Sequence, residues 1–278
     1  MGGGLLELLS YGRQDKYITG DPEITYFKTV YKKHSNFAME SIEQFIEMNG
    51  NVGTCIIDRS GDLIINGYIE CEKQERTSGY DMIEYIQLQI GGQTIDTIYM
   101  SYQQMYDELS IDSKNQYGYG ELLNIEKRRN VAYIPLKFFF CKSAGQAFPL
   151  VALKYQEMSI KIKFTKGTTS QRLFIDYVYL EPHERNTIAL KTHNILIEQV
   201  QRADIETDEG IKQINFKHPC KELIWKYQGN GTQESKIGGK ITIKLNEYSK
   251  INNRDYMYFT RIQPYQHHEN VPTNAGIN

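Results

Sequence analysis

The feature that most constrains the fold is an apolar side chain at every second position in several short segments. The clearest case is MSIKIKF at residues 158–164, a pattern that places one face of a strand in a core and the other in water. Residues 82–100, MIEYIQLQIGGQTIDTIYM, carry two such runs on either side of Gly91 and Gly92. Because glycine adopts positive φ without steric cost, this segment predicts a hairpin with a two-residue turn. The chain should therefore build antiparallel sheets.

Residues 37–181 hold about eight strand candidates, the number found in a jelly roll of two packed sheets. The segments are 37–48, 61–72, 82–90, 93–100, 130–140, 155–164 and 172–181, and the shift of apolar positions near residues 45 and 46 predicts a bulge in the first of them. The second, residues 61–72, is either a pair of strands, which makes eight strands in all, or one long strand bent at Gly67. Between the strands, Tyr102, Met105 and Leu109 have helical spacing, with Ser101 as the expected N-cap of a helical insertion over residues 101–128.

A second set of strands follows a polar connector, residues 182–194, which should be helical with Pro182 in its first turn. The predicted strands are 195–205, 210–216, 221–228 and 238–246. They begin a second β-sandwich, to which residues 252–278 add one helical turn and one extended segment. We expect this sandwich to stay incomplete, because about five strands stand where about eight are needed.

Composition excludes several classes of protein. The 278 residues carry a net charge of −2, so no global field attracts DNA or an anionic membrane. The 21 tyrosines and 11 phenylalanines favour strands. Four cysteines without a C-x-x-C pair indicate neither a zinc knuckle nor a disulfide framework, and they favour folding in a reducing compartment. The sequence also shows no secretory or membrane-spanning segment.

Several small groups of residues suggest chemistry, and in each the structural interpretation is favoured. His218 and Cys220 are too close in sequence to be aligned as a nucleophile and its base. His267, His268 and Glu269 lack a third spaced ligand for a metal. The acidic loop at residues 203–210 lacks EF-hand spacing. We predict no catalytic residue, no metal ligand and no cofactor.

Two further motifs are interpreted as surface loops. EKRRNV at residues 126–131 is the strongest basic run, but no aromatic side chains alternate with the arginines, so we expect a solvated loop or a site of salt bridges rather than nucleic-acid binding. Asn230 stands in a formal N-glycosylation sequon, NGT. We interpret it as a turn, because a chain without a signal peptide does not meet the secretory machinery.

Four segments, in order along the chain, resemble the major capsid protein of the nucleocytoplasmic large DNA viruses. They are GGGLLELLSYGRQDKYITGDPEITYFKTVYKKHSNFAMESIEQ near the N-terminus, ERNTIALKTHNILIEQVQ at the junction, HPCKELIW, and PYQHHENVPTNAGIN at the end. The resemblance covers essentially the whole chain. It departs from the family at the end, since relatives continue past GIN with the last strands of the second jelly roll, and the sequence is therefore expected to be truncated there.

The resemblance implies an all-β fold made of a tandem double jelly roll with short helices in the N-terminal arm and in loops. The expected domains are an arm over residues 1–36, a first jelly roll over 37–181, a connector over 182–194 and a partial second jelly roll over 195–278. It implies a structural protein, not an enzyme, that forms homotrimers of pseudo-hexameric outline and tiles an icosahedral shell. The expected partners are neighbouring capsomers and minor capsid proteins, near an inner viral membrane and without specific nucleic acid. The expected location is the virion capsid, after synthesis and assembly in the host cytoplasm.

Residues 21–33 should form a short helix, with Asp21 as cap, Pro22 in the first turn and Ile24, Phe27 and Tyr31 on one face. Two interpretations remain open: a plug against the first sandwich, or a contact surface at the base of the capsomer. For the second, the candidate assembly contacts are Tyr17, Tyr26, Phe27, Tyr31, Lys32 and Lys33, since tyrosine suits interfaces.

The alternative function is a β-sandwich carbohydrate-binding module or glycan-acting enzyme. A glycan hydrolase needs two carboxylates at a defined separation, and no pair in this sequence is singled out for that role. Specific, saturable sugar binding would favour the carbohydrate-binding module, and larger assemblies would favour the capsid protein.

Overall fold

A computed structural model describes residues 36–204, 213–226, 240–245 and 248–272. Within these residues twelve strands form three antiparallel sheets. The strands are β1 (Phe37–Gln44), β2 (Glu47–Asn49), β3 (Val52–Ile56), β4 (Leu63–Lys73), β5 (Ile83–Ile90), β6 (Gln93–Tyr99), β7 (Val131–Pro135), β8 (Phe148–Pro149), β9 (Met158–Phe164), β10 (Thr168–Leu180), β11 (Ile241–Leu245) and β12 (Tyr248–Arg254). The predicted antiparallel β architecture is confirmed.

Two five-stranded sheets face each other in the part of the chain between residues 37 and 180. The first sheet has the order β1-β10-β4-β7, with β8 also paired to β4, and the second has the order β2-β3-β9-β5-β6. The bulge predicted at residues 45 and 46 is instead the point where the chain leaves the first sheet and enters the second, because β1 pairs with β10 and β2 pairs with β3. Phe45 at this crossing is 83% exposed.

The core lies between these two sheets. Ile69, Leu173 and Ile175 of the first sheet and Leu88 and Ile160 of the second are fully buried. The alternation in β9 is confirmed, since every apolar residue of MSIKIKF is buried and every polar one is at least partly exposed. A single hydrophobic cluster therefore stabilises the first sandwich.

Glycines decide the backbone at two predicted positions. Gly91 and Gly92 have φ of 58° and 79° and join β5 to β6 with Ile90 opposite Gln93, so the hairpin is confirmed. Gly67 lies inside β4 where a Cβ atom would come within 2.8 Å of the Phe174 carbonyl oxygen and of Ile175 Cδ1. Gly67 therefore permits a close approach of two strands, while the register irregularity of β4 falls beside it, between Asn66 and Ile64.

Four α-helices occur within the described residues: α1 (Met100–Ser110), α2 (Ser113–Leu122), α3 (Pro182–Leu190) and α4 (Gln263–His267). They confirm the helical insertion after β6 and the first-turn position of Pro182. The prediction of Ser101 as N-cap was wrong, because α1 begins one residue earlier and Tyr99 is the N-cap without a side-chain hydrogen bond. Asp112 caps α2 by accepting a hydrogen bond from the Lys114 backbone N–H at 3.3 Å. In the described part of the chain, none of the helices has the length and apolar character needed to cross a membrane.

Short 3₁₀ turns complete the first sandwich: Gly79–Asp81, Phe139–Cys141, Ala144–Gln146 and Leu150–Ala152. The strand predicted at residues 130–140 ends at Pro135. The next residues turn inward, and Phe138 and Phe140 are fully buried with ring centroids 5.8 Å apart. Burial of these aromatic rings outweighs the strand propensity of the run KFFF.

Beyond α3 the described residues contain far less regular structure. The strands predicted at 195–205, 210–216 and 221–228 were wrong in their described parts, which contain no strand. The last prediction, 238–246, is confirmed in its described part by β11, which pairs with β12. A π-helical turn, Tyr258–Ile262, leads into α4. Because a strand requires a neighbour to accept its hydrogen bonds, pattern alone does not form one here.

Candidate assembly surfaces

The predicted absence of a His–Cys nucleophile and of a metal cluster can be compared with the described geometry. Cys220 donates its thiol hydrogen to the Glu222 carbonyl oxygen at 3.4 Å, and the preceding His218 has a φ of 72°. His268 Nε2 lies 2.6 Å from Glu222 Oε1. Among the described residues no group of three or more His, Cys, Asp or Glu could hold a metal ion.

The basic run at residues 126–131 is neutralised by neighbouring carboxylates. Arg128 pairs with Glu126, Arg129 lies 3.8 Å from Glu121, and Lys127 lies 4.0 Å from Asp81. This arrangement agrees with the predicted salt-bridge loop.

The outer face of the first sheet carries polar, charged and aromatic side chains. We define it by the outward side chains of four strands: Phe37, Met39, Ser41 and Glu43 of β1, Arg172, Phe174 and Asp176 of β10, Tyr68, Glu70 and Glu72 of β4, and Tyr133 of β7. Strand register places these residues on one side, opposite the buried Ile69, Leu173 and Ile175.

Arg172 organises the centre of this outer face. Its guanidinium donates to both carboxylate oxygens of Glu43, at 2.9 and 2.8 Å, and to Glu70 at 3.5 Å. It also lies 4.9 Å from the centroid of the Phe174 ring, which stacks on Tyr68 with centroids 4.9 Å apart. The hydrogen bond from Arg172 lowers the pKa of the Glu43 carboxyl below its ordinary value. A cross-strand ladder of charged and aromatic groups thus ties β1 to β10 and β4.

Charge and exposed apolar area are unevenly distributed on this face. It carries the carboxylates of Glu43, Glu70, Glu72 and Asp176 against the single guanidinium of Arg172. At the start of β1, Phe37 is 60% exposed and Met39 is 57% exposed. The face is therefore acidic, with an apolar corner where the chain enters β1.

Residues 195–204 run beside the free edge of the second sheet. The Val200 backbone N–H donates to Asp96 Oδ1 of the edge strand β6 at 2.9 Å, and the Gln199 amide donates to the Ile95 carbonyl oxygen. Glu198 pairs with Lys142 and Lys221, and these hydrogen bonds lower the pKa of the Glu198 carboxyl. Burial raises the pKa of the Asp96 carboxyl. This connecting segment covers an edge that would otherwise be open to other strands.

A buried polar cluster holds α1 and α2 against the first sandwich. Asp107 is 4% exposed and accepts hydrogen bonds from the hydroxyls of Tyr80 at 2.9 Å and Tyr119 at 2.7 Å. Lys137 Nζ lies 3.3 Å from Asp107 Oδ1 and 5.0 Å from the centroid of the Tyr119 ring. Burial, followed by the Asp107 charge, raises the pKa of both tyrosines, which stay neutral donors. The helical insertion is therefore anchored by buried hydrogen bonds and an ion pair as well as by apolar packing.

Large apolar side chains remain exposed in the region after α3. They are Ile195, Leu196, Ile214, Phe216, Leu223, Trp225, Met257, Ile262 and Tyr265, and Leu190 at the end of α3 is also exposed. Trp225 is 43% exposed, although its ring contacts Phe259 edge-on with centroids 5.1 Å apart. Such a concentration of exposed apolar groups is typical of an interaction surface.

The predicted contact residues Tyr17, Tyr26, Phe27, Tyr31, Lys32 and Lys33 lie outside the described residues, as does Asn230. The outer face of the first sheet and the segment along β6 were not identified from sequence. The polar positions of the alternating strands could have indicated the outer face, but only strand order brings Glu43, Arg172 and Tyr68 together.

Comparison with known proteins adds an independent line of argument. Residues 25–176 match the family model described as the major capsid protein N-terminus. The major capsid protein of Pyramimonas orientalis virus is 38% identical over 312 aligned residues, which cover all of this chain and 79% of the relative. That of Paramecium bursaria Chlorella virus 1 is 32% identical, covering all of this chain and 80% of the relative.

Solved structures agree with the sequence relatives. The chain is similar to a subunit of the quasi-atomic model of the PBCV-1 virus capsid, with a TM-score of 0.72 and 26% identity over 89% of this chain and 78% of that subunit. These neighbours are double jelly-roll proteins, so the fold is an all-β tandem double jelly roll in which the second sandwich is incomplete. The homologues and the fold are those of structural capsid proteins, not enzymes. This chain therefore belongs to the major capsid protein family of the nucleocytoplasmic large DNA viruses.

Proposed function

We propose that the chain forms homotrimers that act as pseudo-hexameric capsomers and tile an icosahedral shell. The observation that carries this proposal is the set of large apolar side chains that stay exposed after α3, including Phe216, Leu223 and Trp225, whereas the first sandwich encloses a continuous hydrophobic cluster. Burying such groups between subunits supplies the main driving force of association. Closed cyclic symmetry then makes the same patch recur in every subunit.

The proposed domain organisation is an arm over residues 1–36, a first jelly roll over 37–181, a connector over 182–194 and a partial second jelly roll over 195–278. Tyr17, Tyr26, Phe27, Tyr31, Lys32 and Lys33 of the arm are the proposed contacts to neighbouring capsomers and minor capsid proteins, close to an inner viral membrane. Assembly takes place in the host cytoplasm. The mixture of tyrosine and lysine supports this role, since tyrosine supplies contact area at low entropic cost.

Native mass spectrometry of the purified chain tests the proposal. The expected species is a trimer with three times the mass of the 32.3 kDa chain. The paired substitutions Phe216→Ser and Trp225→Ser should shift the population toward monomer, because they remove apolar area from the proposed interface. The matched control is Tyr155→Ser, which changes a 94% exposed ring on the first sandwich and should leave the trimer intact.

Two outcomes contradict the proposal. A chain that stays monomeric over the accessible concentration range does not form capsomers by itself. A monomer that also binds glycans specifically and saturably would favour the carbohydrate-binding alternative.

A further inference from the structure

We propose that the outer face of the first sheet is the docking site for this chain's own basic segment at residues 24–34, ITYFKTVYKKH. The segment carries Lys28, Lys32 and Lys33 without any Asp or Glu. The face carries four carboxylates and one guanidinium, that of Arg172. Opposite charge fixes the register and orientation of such a contact more than its strength.

The position at which the chain enters the sandwich favours docking of the segment on its own chain rather than on a second copy. Asn36 donates a side-chain hydrogen bond to Glu181, and Phe37 pairs with Leu180 at the first position of β1. Residue 36 therefore lies at a corner of the outer face, one residue from the exposed Phe37 and two from the 24–34 segment. A tether this short gives an effective concentration on the order of millimolar, well above that of a second copy in dilute solution.

The dimensions of segment and face agree. An eleven-residue helix is about 16 Å long at roughly 1.5 Å per residue. Along β1, Phe37 pairs with Leu180 and Glu43 pairs with Phe174, so the corner and Glu43 stand about 20 Å apart at roughly 3.3 Å per residue. A helix lying along β1 and β10 would therefore reach from the β1 corner toward Glu43 and Arg172.

Apolar contacts supply most of the strength of the proposed docking, whereas the charges set its register and orientation. Ile24, Phe27 and Tyr31 fall on one side of the predicted helix, and the face offers Phe37 and Met39, both more than half exposed. Phe174 and Tyr68 continue this apolar area toward the centre of the sheet. Docked on that side, the helix turns Tyr26 and Lys33 away from the sheet. The inference goes beyond the proposed trimer and does not depend on it. It places Phe27, Tyr31 and Lys32 against the chain's own sheet and leaves Tyr26 and Lys33 for the proposed contacts to other capsid proteins.

The test is zero-length carbodiimide cross-linking of the full chain, which joins lysine amines to carboxylates in direct contact. A mixture of ¹⁵N-labelled and unlabelled chains separates links within a chain from links between copies. We expect Lys28 or Lys32 to link to Glu43, Glu70 or Asp176 within one chain. The comparison carboxylates are Glu47 and Glu84, which belong to the second sheet, and they should give several-fold fewer links to the segment.

A pair of charge-reversal variants sharpens the result. Lys32→Glu with Lys33→Glu should lose the remaining Lys28 links several-fold and speed tryptic cleavage after Lys28, and Asp176→Lys in that background should restore protection. The matched control, Lys154→Glu with Lys166→Glu, reverses two exposed loop lysines and should change neither measurement.

Links that occur only between labelled and unlabelled chains, or that reach Glu47 and Glu84 as often as the outer face, would overturn the inference. Native masses of the same samples keep the two proposals separate. Trimers without links inside the chain retain the proposed function and reject the docking site, whereas monomers with such links do the reverse.

Discussion

The first sandwich and the region after α3 use similar alternating sequences, yet they bury very different shares of their side chains. Every residue of the hydrophobic core lies between Cys55 and Tyr177. Beyond residue 190, Pro264 and Pro272 are the buried residues within the described segments. The difference shows that alternation specifies a face but does not supply its partner. A sheet face becomes a core only when a second sheet covers it.

The largest effect should come from truncating an aromatic ring in the first sandwich. Phe140 is fully buried and contacts Phe139 and Phe148 with ring centroids 5.4 and 6.4 Å away. Phe140→Ala should lower the free energy of unfolding by about 3–5 kcal/mol, because it removes buried area and leaves a cavity. Urea denaturation followed by circular dichroism measures this change. Phe45→Ala, at an 83% exposed position, is the control, and equal losses in both variants would contradict the assignment of the core.

The second largest loss of stability should come from removing Asp107, the polar group that anchors α1. Asp107→Ala removes the acceptor of two tyrosine hydroxyls and the partner of Lys137. We expect a loss of about 2–4 kcal/mol, since buried donors left without partners keep their desolvation cost. Hydrogen exchange of α1 and α2 should rise in this variant before that of β9. Uniform exchange across the protein would contradict a local anchor.

A substitution at Gly67, where two strands pack closely, should lower the free energy of unfolding by a smaller amount. Gly67→Ala places a methyl group within 2.9 Å of Leu136 Cδ1 and closer still to β10, and we expect a loss of about 1–3 kcal/mol from overpacking. Gly118→Ala is the matched control, because it lies in α2 with open space around it and gains helix propensity. Thermal unfolding should shift downward for the first variant and stay level or rise for the second.

The smallest effect on monomer stability is expected for a substitution in the region after α3. Trp225→Ala should change the free energy of unfolding of the isolated chain by less than about 1 kcal/mol, as for other half-exposed side chains away from a core. Its effect on assembly should be much larger, as native mass would show. If Trp225→Ala lowered the free energy of unfolding as much as Phe140→Ala does, the region after α3 would already have a hydrophobic core of its own.

Much of the first sandwich could be predicted from sequence because its signals are local. The alternation of β9 and the two glycines after Ile90 specify their structures without reference to the rest of the chain. The crossing at Phe45, the inward turn at Phe138 and the cluster around Asp107 could not be predicted in this way. Each depends on residues far away in sequence, such as Tyr80 for Asp107 or Tyr68 for Phe174, and spacing along the chain does not encode those contacts.

The cysteines of the chain differ in a way that has a practical consequence. Cys55 and Cys71 are buried and Cys141 is partly buried, and burial raises the pKa of the Cys55 and Cys141 thiols to about 12. Because the thiolate is the reactive form, these groups should resist alkylation while the sandwich is folded. Cys220 is exposed, so maleimide should label the native protein at that position without mutagenesis. The slow rate at which maleimide labels Cys55, Cys71 and Cys141 would then measure how often the folded sandwich of this capsid protein opens to solvent.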